Sequence, residues 1–245
     1  MSLSTKGLII RVNNVKEYDR FISVLTETNG VIRAYVHGAR SVKNKNAAAT
    51  ALLTFSHLTL ERKKDTYVLK EASAEKVFFG LQNDIVKLTL AQHFCELANV
   101  LAPENTDSHE YLRLILNSLY YLENDKRPLK LIKAITELRM LTVSGYAPNL
   151  VACSGCARFE DDVMYFDTQN GELLCKDCKT ADKNIIPISK SVLSAMRHIA
   201  FSPFSSLYNF TLSESSEDML VSVVERFLLS QVEHKFSVLQ FFKNL

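Results

Sequence analysis

Four cysteines stand in two matched pairs, Cys153-Ser-Gly-Cys156 and Cys175-Lys-Asp-Cys178, with eighteen residues between the pairs. Each pair can turn both of its sulfurs toward one point, and two such pairs give the tetrahedron of thiolates that Zn²⁺ accepts most readily. Four thiolates fill the coordination shell and leave no position for water or substrate. We therefore expect a structural zinc ion held by Cys153, Cys156, Cys175 and Cys178.

The residues between the two pairs are typical of a β-hairpin. Met164-Tyr-Phe-Asp167 has the character of a strand, Gln169-Asn-Gly171 is a turn signal, and Glu172-Leu-Leu174 returns toward the second pair. A hairpin with a CxxC at each end is a zinc-ribbon arrangement. A redox dithiol or disulfides remain as alternatives, although a thioredoxin-type site needs only one CxxC at a strand–helix junction. A zinc deaminase is disfavoured because the sequence has no His-x-Glu.

Composition places the chain among globular proteins. Its 245 residues are 47% hydrophobic, enough to bury a core in two or three modules. No apolar run approaches the length that spans a bilayer, and the first residues lack the apolar core of a signal peptide. We therefore expect a cytoplasmic location, which agrees with cysteines kept as thiolates. The fifth cysteine, Cys95, lies in an apolar helical stretch and is expected in the core.

The charge is distributed unevenly along the chain. The net charge is only +2, but residues 1–76 contain 13 Lys or Arg against 7 Asp or Glu, a net charge of +6. The remaining residues contain 16 basic and 20 acidic side chains, a net charge of −4. A basic first third indicates a polyanionic partner.

The hydrophobic period changes near residue 80. Five short strand-like segments within about 75 residues predict a small closed or partly open barrel. From residue 81 the apolar residues recur at helical spacing, with three helices before the cysteines, a helix that opens at Pro187, and a last helix capped by Ser216. The expected fold class is α+β and multidomain, with the zinc module inserted into a helical domain.

A basic five-stranded barrel is a common platform for single-stranded nucleic acid, because cations follow the phosphates and aromatic rings stack on the bases. The cations predicted to bind DNA are Arg11, Arg20, Arg33, Arg40, Lys43, Lys45, Arg62, Lys63 and Lys64. The candidate stacking rings are Tyr18, Tyr35, Phe55 and Tyr67.

The sequence offers no catalytic set. It lacks the glycine-rich loop that cradles phosphates, and its six histidines are scattered. Ser144 and Ser154 lack the G-x-S-x-G turn of a hydrolase. We therefore expect a binding protein and not an enzyme.

Several motifs resemble the bacterial RecO recombination mediators. In the first third these are Leu8-Ile-Ile-Arg11, Glu17-Tyr-Asp-Arg20 and His37-Gly-Ala-Arg40. Glu137-Leu-Arg139 and, most specifically, Ser144-Gly-Tyr-Ala-Pro-Asn-Leu150 continue the match into the first cysteine pair. The resemblance covers nearly the whole chain, but the basic stretch usual near the family's C-terminus is thin here.

The resemblance implies an OB-fold nucleic-acid-binding domain at residues 1–78, a helical domain at 79–150 and 183–245, and a zinc-ribbon-like four-cysteine module at 151–182. It also implies binding to single- and double-stranded DNA, strand annealing, and partnership with RecR, so that single-strand-binding protein is displaced and RecA loads in recombinational repair. Such a protein would act in the bacterial cytoplasm at the nucleoid.

The resemblance also implies contact with single-strand-binding protein itself. We expect the helical domain to offer a groove for its short acidic and apolar tail, with Lys130, Lys133 and Arg139 as neighbouring cations. The alternative function is a protein–protein adaptor with a structural zinc, whose basic barrel binds an acidic protein partner instead of DNA.

Overall fold

A computed structural model describes residues 2–15, 17–41, 44–64, 66–236 and 238–239. The chain forms two compact units, one made of Met1–Asn124 with Phe236–Leu245 and the other of Asp125–Lys235. Lys43, one of the cations predicted to bind DNA, lies outside the described residues. The division into four sequence segments stays a prediction.

The first unit begins with a closed five-stranded barrel. Its strands are β1 (Ser2–Val15), β2 (Asp19–Thr26), β3 (Val31–Val36), β4 (Thr54–Lys63) and β5 (Thr66–Val77). Their order around the barrel is β1-β2-β3-β5-β4, and β4 pairs with β1 to close it. All neighbours are antiparallel except β3 and β5. This closed barrel confirms the fold class predicted for the first third of the chain.

Alternation of side chains explains why these segments form a barrel. Along most of β4, buried residues alternate with half-buried ones, as expected for a strand with one face in the core. The core of the barrel consists of aliphatic residues from all five strands, among them Ile9, Ile22, Ile32, Leu58, Leu60 and Leu69. In β1 the pairing with β2 shifts between Ile9 and Arg11, so a bulge moves Arg11 to the outer face of the barrel.

Three helical segments follow the barrel in the first unit. A short 3₁₀ helix (Phe79–Asn83) leads to α1 (Ile85–Leu101), and α2 spans His109–Glu123. Asp84 caps α1, since its carboxylate accepts hydrogen bonds from the amides of Val86 and Lys87. Cys95 is buried in α1, as predicted. The Ser108 hydroxyl donates to the carbonyl of Thr26 at 2.6 Å, which joins the start of α2 to the end of β2.

The second unit combines three helices with a small sheet. The elements are α3 (Leu129–Val143), β6 (Asn149–Cys153), β7 (Met164–Asp167), β8 (Glu172–Leu174), β9 (Ile185–Ile188), α4 (Lys190–Phe201) and α5 (Glu214–Gln231). The sheet order is β6-β8-β7-β9. Strands β7 and β8 form the predicted hairpin, and the sheet lies between α3 and α4 in the chain.

Two predicted helix starts were wrong by a few residues. Pro187 lies inside β9, and α4 begins only after Ser189, whose hydroxyl accepts a hydrogen bond from the amide of Val192. Ser213, not Ser216, caps α5 by accepting from the amide of Ser216. In both cases a serine three residues before the amide satisfies a free N–H group of the first turn.

Helix α3 is the central element of the second unit. Every residue from Leu131 to Leu141 is buried, including the charged residues Lys133, Glu137 and Arg139. It packs against α5 and α4. Within the described residues, no helix combines the length and the apolar character that a membrane crossing requires.

Candidate metal centre and nucleic-acid interface

The small sheet brings the four cysteines together. Cys153 ends β6 and Cys175 directly follows β8, while Cys156 and Cys178 lie in the tight turns that follow them. All four sulfurs lie within 4.8 Å of one another. A Zn–S bond of about 2.3 Å places the corners of a tetrahedron about 3.8 Å apart. The sulfurs of Cys156 and Cys175 are 3.6 Å apart, which fits that spacing.

The same distances argue against disulfides. A disulfide bond joins sulfurs at about 2.05 Å, and none of the five cysteines forms one. Four sulfurs that converge from two turns form a complete ligand set for a soft, tetrahedral ion. The donor set therefore fits a metal ion with no open coordination position, and its chemistry is that of a structural cross-link.

Backbone amides prepare one of the sulfurs for ionisation. Burial of Cys153 opposes the thiolate, but amides of Cys175, Cys156 and Gly155 donate to its sulfur and lower the pKa of the thiol to about 6. The amide of Cys175 is 3.2 Å from that sulfur. Hydrogen bonds with the other three sulfurs raise the pKa of Cys178 to about 12. The pKa values of these two thiols are thus shifted in opposite directions. A bound dication would favour the ionised form of both, because it stabilises all four thiolates.

Arg158 joins the two cysteine turns. Its guanidinium lies 2.8 Å from the carboxylate of Asp161 and 3.0 Å from that of Asp177, which stands inside the second CxxC. The hydrogen bond to Asp161 and the charge of Asp177 raise the pKa of Arg158, so its positive charge persists beside the thiolates. Its carbonyl also accepts a hydrogen bond from the amide of Cys153 at 2.8 Å.

Sequence reasoning missed Arg197, which fastens the start of the cysteine module to α4. Its guanidinium donates to the carbonyls of Leu150 at 2.7 Å, Val151 at 3.0 Å and Phe159 at 3.2 Å. It also lies 4.5 Å from the centre of the Phe159 ring. In the sequence Arg197 is an arginine within a predicted helix, and nothing near it in the chain indicates these partners.

The barrel carries two predicted cations in one row across its outer face. Arg11 of β1 is paired with Ser23 of β2, and Ser23 is paired with Arg33 of β3. Directly paired residues point to the same side of a sheet, and neighbouring strands are about 4.8 Å apart, so the two arginines stand about 10 Å apart. Both are exposed, and within the described residues neither forms an ion pair with a carboxylate.

An aromatic ladder lies beside this row. Phe21 of β2 is paired with Tyr35 of β3, and their rings meet edge to face at 4.9 Å. The ring of His37 follows that of Tyr35 at 4.7 Å. The guanidinium of Arg33 lies 4.2 Å from the centre of the Phe21 ring. Tyr35 was a predicted stacking residue, whereas Phe21 and His37 were missed. Residues two apart on a strand point to the same face, so positions 21 and 23 of β2 could have placed the Phe21 ring on the face of this row.

Two further predicted cations are tied to backbone carbonyls. Arg20 donates to the carbonyl of Ala39 at 2.6 Å and to that of Thr50 at 3.3 Å. Burial and the nearby charge of Arg40 lower its pKa. Arg40 is exposed and donates to the carbonyl of Glu17 at 3.2 Å. The two bonds of Arg20 join the backbone at Ala39 and Thr50 to the start of β2, and that of Arg40 joins it to the turn after β1.

The remaining described cations lie on the side of β4 and β5. Lys45 pairs with Glu71 at 3.2 Å, and Lys63 lies 3.9 Å from Glu61. Glu61 also pairs with Lys70 at 2.8 Å, so its charge is shared between two lysines. The other two predicted cations of this group, Arg62 and Lys64, are exposed at the turn between β4 and β5.

The other candidate rings have different environments. Tyr18 is 51% exposed in the turn after β1. Tyr67 is half-buried and packs against the barrel core, which leaves less of its ring accessible. Phe55 lines a groove between the barrel and α2. Of the four predicted rings, therefore, Tyr18 and Tyr35 have the accessibility or the position that stacking requires.

The predicted partner cations are placed unequally on α3. Lys130 is about half exposed and pairs with Asp218 at 2.6 Å. Lys133 is only 1% exposed, and Arg139 is 9% exposed and donates to the carbonyl of Ala200 at 2.6 Å. Neither buried residue presents its charge at the surface, because the packing of α3 encloses both side chains. Contact of Lys130 with a partner stays a prediction.

A groove with a largely apolar lining lies in the first unit. It encloses about 530 Å³, with Phe55, Leu112 and Leu116 among its apolar residues. Basic side chains of Lys6, His109 and Arg113 also line it, together with the acidic side chain of Glu27.

Comparison with known proteins identifies the family. The family model described as Recombination protein O N terminal matches residues 1–78, and Recombination protein O C terminal matches residues 82–240. A protein named DNA repair protein RecO from Acetivibrio thermocellus is 34% identical over 99% of this chain and 97% of its own length. The chain belongs to the RecO family.

Other relatives match over similar lengths. Proteins of the same name from Symbiobacterium thermophilum and Dehalococcoides mccartyi strain CBDB1 are 29% and 26% identical. The matches cover 98% and 93% of this chain, and 96% and 90% of those proteins. The match therefore includes the barrel, the helices and the cysteine module, and membership of this RecO family supports a role in recombinational repair.

Proposed function

We propose that this protein is a DNA-binding recombination mediator that anneals complementary strands and, with RecR, helps RecA load onto single-stranded DNA covered by single-strand-binding protein. It would act in the cytoplasm at the nucleoid. The observation that carries the proposal is the outer face of β1–β3, where exposed arginines stand beside an aromatic ladder. This combination of cations and rings is what a single strand needs for its phosphates and its bases.

Annealing follows from charge without covalent catalysis. Two DNA strands repel each other through their phosphates, and a cationic surface that holds both reduces this repulsion. Arg11 and Arg33 suit this role because no described carboxylate competes for them. Lys45 and Lys63, by contrast, must give up Glu71 and Glu61 before they bind a phosphate, and surface ion pairs of this kind contribute at most about 1 kcal/mol.

The deciding experiment measures binding of a fluorescent oligo(dT) strand by anisotropy over a series of salt concentrations. For single strands the log–log slope is about −0.7 for each phosphate neutralised. Changing Arg11 and Arg33 together to Ala should weaken binding and flatten the slope by about 1.4. Changing Lys45 and Lys63 to Ala removes the same charge and is the matched control, for which we expect a smaller effect.

The aromatic ladder is tested with the same assay. Tyr35→Leu should weaken binding by the equivalent of about 1–3 kcal/mol with little change of slope, because stacking releases no counterions. Tyr35→Phe keeps the ring but removes the hydroxyl that donates to Asp19, and is the control for that bond. The proposed surface would be contradicted if the double Ala variant of Arg11 and Arg33 and the Tyr35→Leu variant both bound DNA as tightly as the wild type.

Annealing itself is measured with complementary strands coated by single-strand-binding protein. The arginine variant should anneal more slowly than the lysine control. If the wild-type protein binds no single-stranded DNA even at low salt, the mediator proposal fails and the adaptor alternative is preferred. RecR dependence is measured in the same mixture as the increase in RecA loading when RecR is added.

For single-strand-binding protein, we propose the groove lined by Phe55, Leu112 and Leu116 as the site that receives its acidic and apolar tail. Its apolar lining suits the apolar residues of such a tail, and Arg113 suits the acidic ones, as does Lys6 once it leaves Glu75. Leu116→Asp should weaken binding of a tail peptide, measured by anisotropy, because it adds a like charge and removes apolar area. Lys130→Ala tests the earlier predicted site on α3 in the same assay.

For the metal, we propose Zn²⁺ in a structural role, held by Cys153, Cys156, Cys175 and Cys178. The geometry of the sulfurs and the completeness of the ligand set support this assignment. When bound, the ion supplies a cross-link between β6 and the end of β8. Metal analysis of the purified protein should give one zinc per chain, and a redox dithiol would instead show thiols that oxidise reversibly with no bound metal.

A further inference from the structure

The two cysteine turns approach each other closely at Gly155. This residue is the third of the first CxxC and stands between sulfurs of both pairs. A Cβ atom at this position would lie 2.9 Å from the sulfur of Cys178 and 3.0 Å from its Cβ. It would also lie 3.9 Å from the sulfur of Cys153. The contact with the sulfur is shorter than real Cβ atoms make, and the contact with the Cβ is tighter than most, so a side chain here requires Cys178 to shift.

The backbone gives no other reason for glycine at this position. The glycines with a positive φ are Gly30, Gly38, Gly145 and Gly171, and Gly155 is not among them. Alanine could therefore adopt its conformation. In the same turn it is Ala157 that has a positive φ, of 60°. The turn thus has glycine where space is short and alanine where glycine would relieve strain.

Gly155 is also exposed to solvent, so alanine there would compress no apolar core. On general grounds, replacing an exposed glycine by alanine at a compatible backbone position stabilises a protein slightly, because the unfolded chain loses freedom. A loss at this site would therefore point to the contact with Cys178. The amide of Gly155 meanwhile donates to the sulfur of Cys153, so the residue contacts one ligand with its N–H and makes room for another.

We infer that Gly155 is a positioning residue of the metal centre, which acts through Cys178 because only a residue without a side chain lets this sulfur complete the tetrahedron. The inference rests on the proposed metal site. It predicts that any side chain at residue 155 moves one ligand outward and loosens the bound ion, while the other three sulfurs keep their places.

The test compares Gly155→Ala with Ser154→Ala, a matched control in the same turn, using the full-length chain. Zinc affinity is measured by competition with a chromophoric chelator, and the ligand set is followed through the visible absorption of bound Co²⁺. Gly155→Ala should bind zinc about 10–100-fold more weakly, the range typical for loss of a residue that orients a ligand. Its Co²⁺ spectrum should be weaker or shifted, whereas Ser154→Ala should match the wild type.

Two results would overturn the inference. One is a Gly155→Ala protein whose zinc affinity and Co²⁺ spectrum equal those of the wild type. The other concerns folding and uses Cys178→Ser, which weakens the same ligand without adding a side chain to the turn. If Gly155→Ala unfolds while Cys178→Ser stays folded, Gly155 supports the fold independently of Cys178. If both unfold, the common outcome supports an effect through that ligand. A wild-type protein without bound metal would instead refute the metal site itself.

Discussion

Replacing Lys133 by alanine should be among the most destabilising single changes in the second unit. Its Nζ lies 2.9 Å from an oxygen of Glu137 and 2.9 Å from one of Glu225, and its side chain is 1% exposed. The side chain of Glu137 is fully buried and that of Glu225 is 14% exposed. Removing the cation leaves two carboxylates that water cannot reach well, which typically costs about 3–5 kcal/mol.

Titration of Lys133 itself should add no pH dependence to this effect around neutrality. Burial lowers the pKa of Lys133, but the charges and hydrogen bonds of Glu137 and Glu225 outweigh it and the pKa is raised. A lysine whose folded pKa lies above its unfolded value of about 10.4 contributes its full stabilisation below that value. The contribution is lost only as the pH rises through the higher folded pKa. Above neutrality and up to about pH 9, titration of Lys133 should therefore add no pH dependence to the cost of Lys133→Ala.

The measurement is urea unfolding followed by circular dichroism, with a thermal scan beside it. For a chain of this length, about 3–5 kcal/mol corresponds to a fall in Tm of roughly 6–20 °C. Lys130→Ala is the matched control on the same helix. Its pair with Asp218 is about half exposed, so its loss should cost much less than the loss of Lys133. Equal costs for the two variants would refute the reasoning, since Lys133 is buried between two carboxylates whereas Lys130 has one exposed partner.

The remaining predictions concern the metal and the barrel. Lowering the pH from 7.5 to 5.5 should weaken zinc binding, because protons compete for the thiolates and the pKa of Cys153 is about 6; a chelator competition at both pH values measures this. An affinity that does not change would argue against thiolate ligands. Arg20→Ala should lower the free energy of unfolding by about 1.5–3 kcal/mol through loss of its bonds to Ala39 and Thr50, while the salt slope of DNA binding stays unchanged. A flattened slope would instead indicate that Arg20 contacts DNA phosphates, as the sequence predicted.

The features that could be predicted from sequence are those encoded over short distances. The barrel strands follow from alternation of apolar residues, and the hairpin of β7 and β8 follows from a turn signal between two short strands. The convergence of the four cysteines follows from the matched spacing of two pairs. In each case the deciding residues are neighbours in the chain or repeat at a fixed interval.

The burial of charge on α3 could not be predicted in the same way. An amphipathic pattern predicts one apolar face, but α3 is enclosed from Leu131 to Leu141. The i, i+4 spacing of Lys133 and Glu137 indicates a pair on one helix face. It does not show that Glu225, 92 residues away, closes over that pair. Long-range packing therefore decides whether a lysine is a surface charge or part of the core.

Contacts that the sequence does not show also decide how much each cation of the barrel contributes to phosphate binding. The net charge of +6 is therefore only a coarse measure of that contribution. A count of charges treats all cations alike, whereas Lys6, Lys45 and Lys70 each have a carboxylate within 3.2 Å. Such cations add little to the potential near them, because the paired carboxylate cancels the field over a short distance. Arg11 and Arg33 have no such partner among the described residues. Each should therefore contribute more to phosphate binding than a lysine that is paired with a carboxylate.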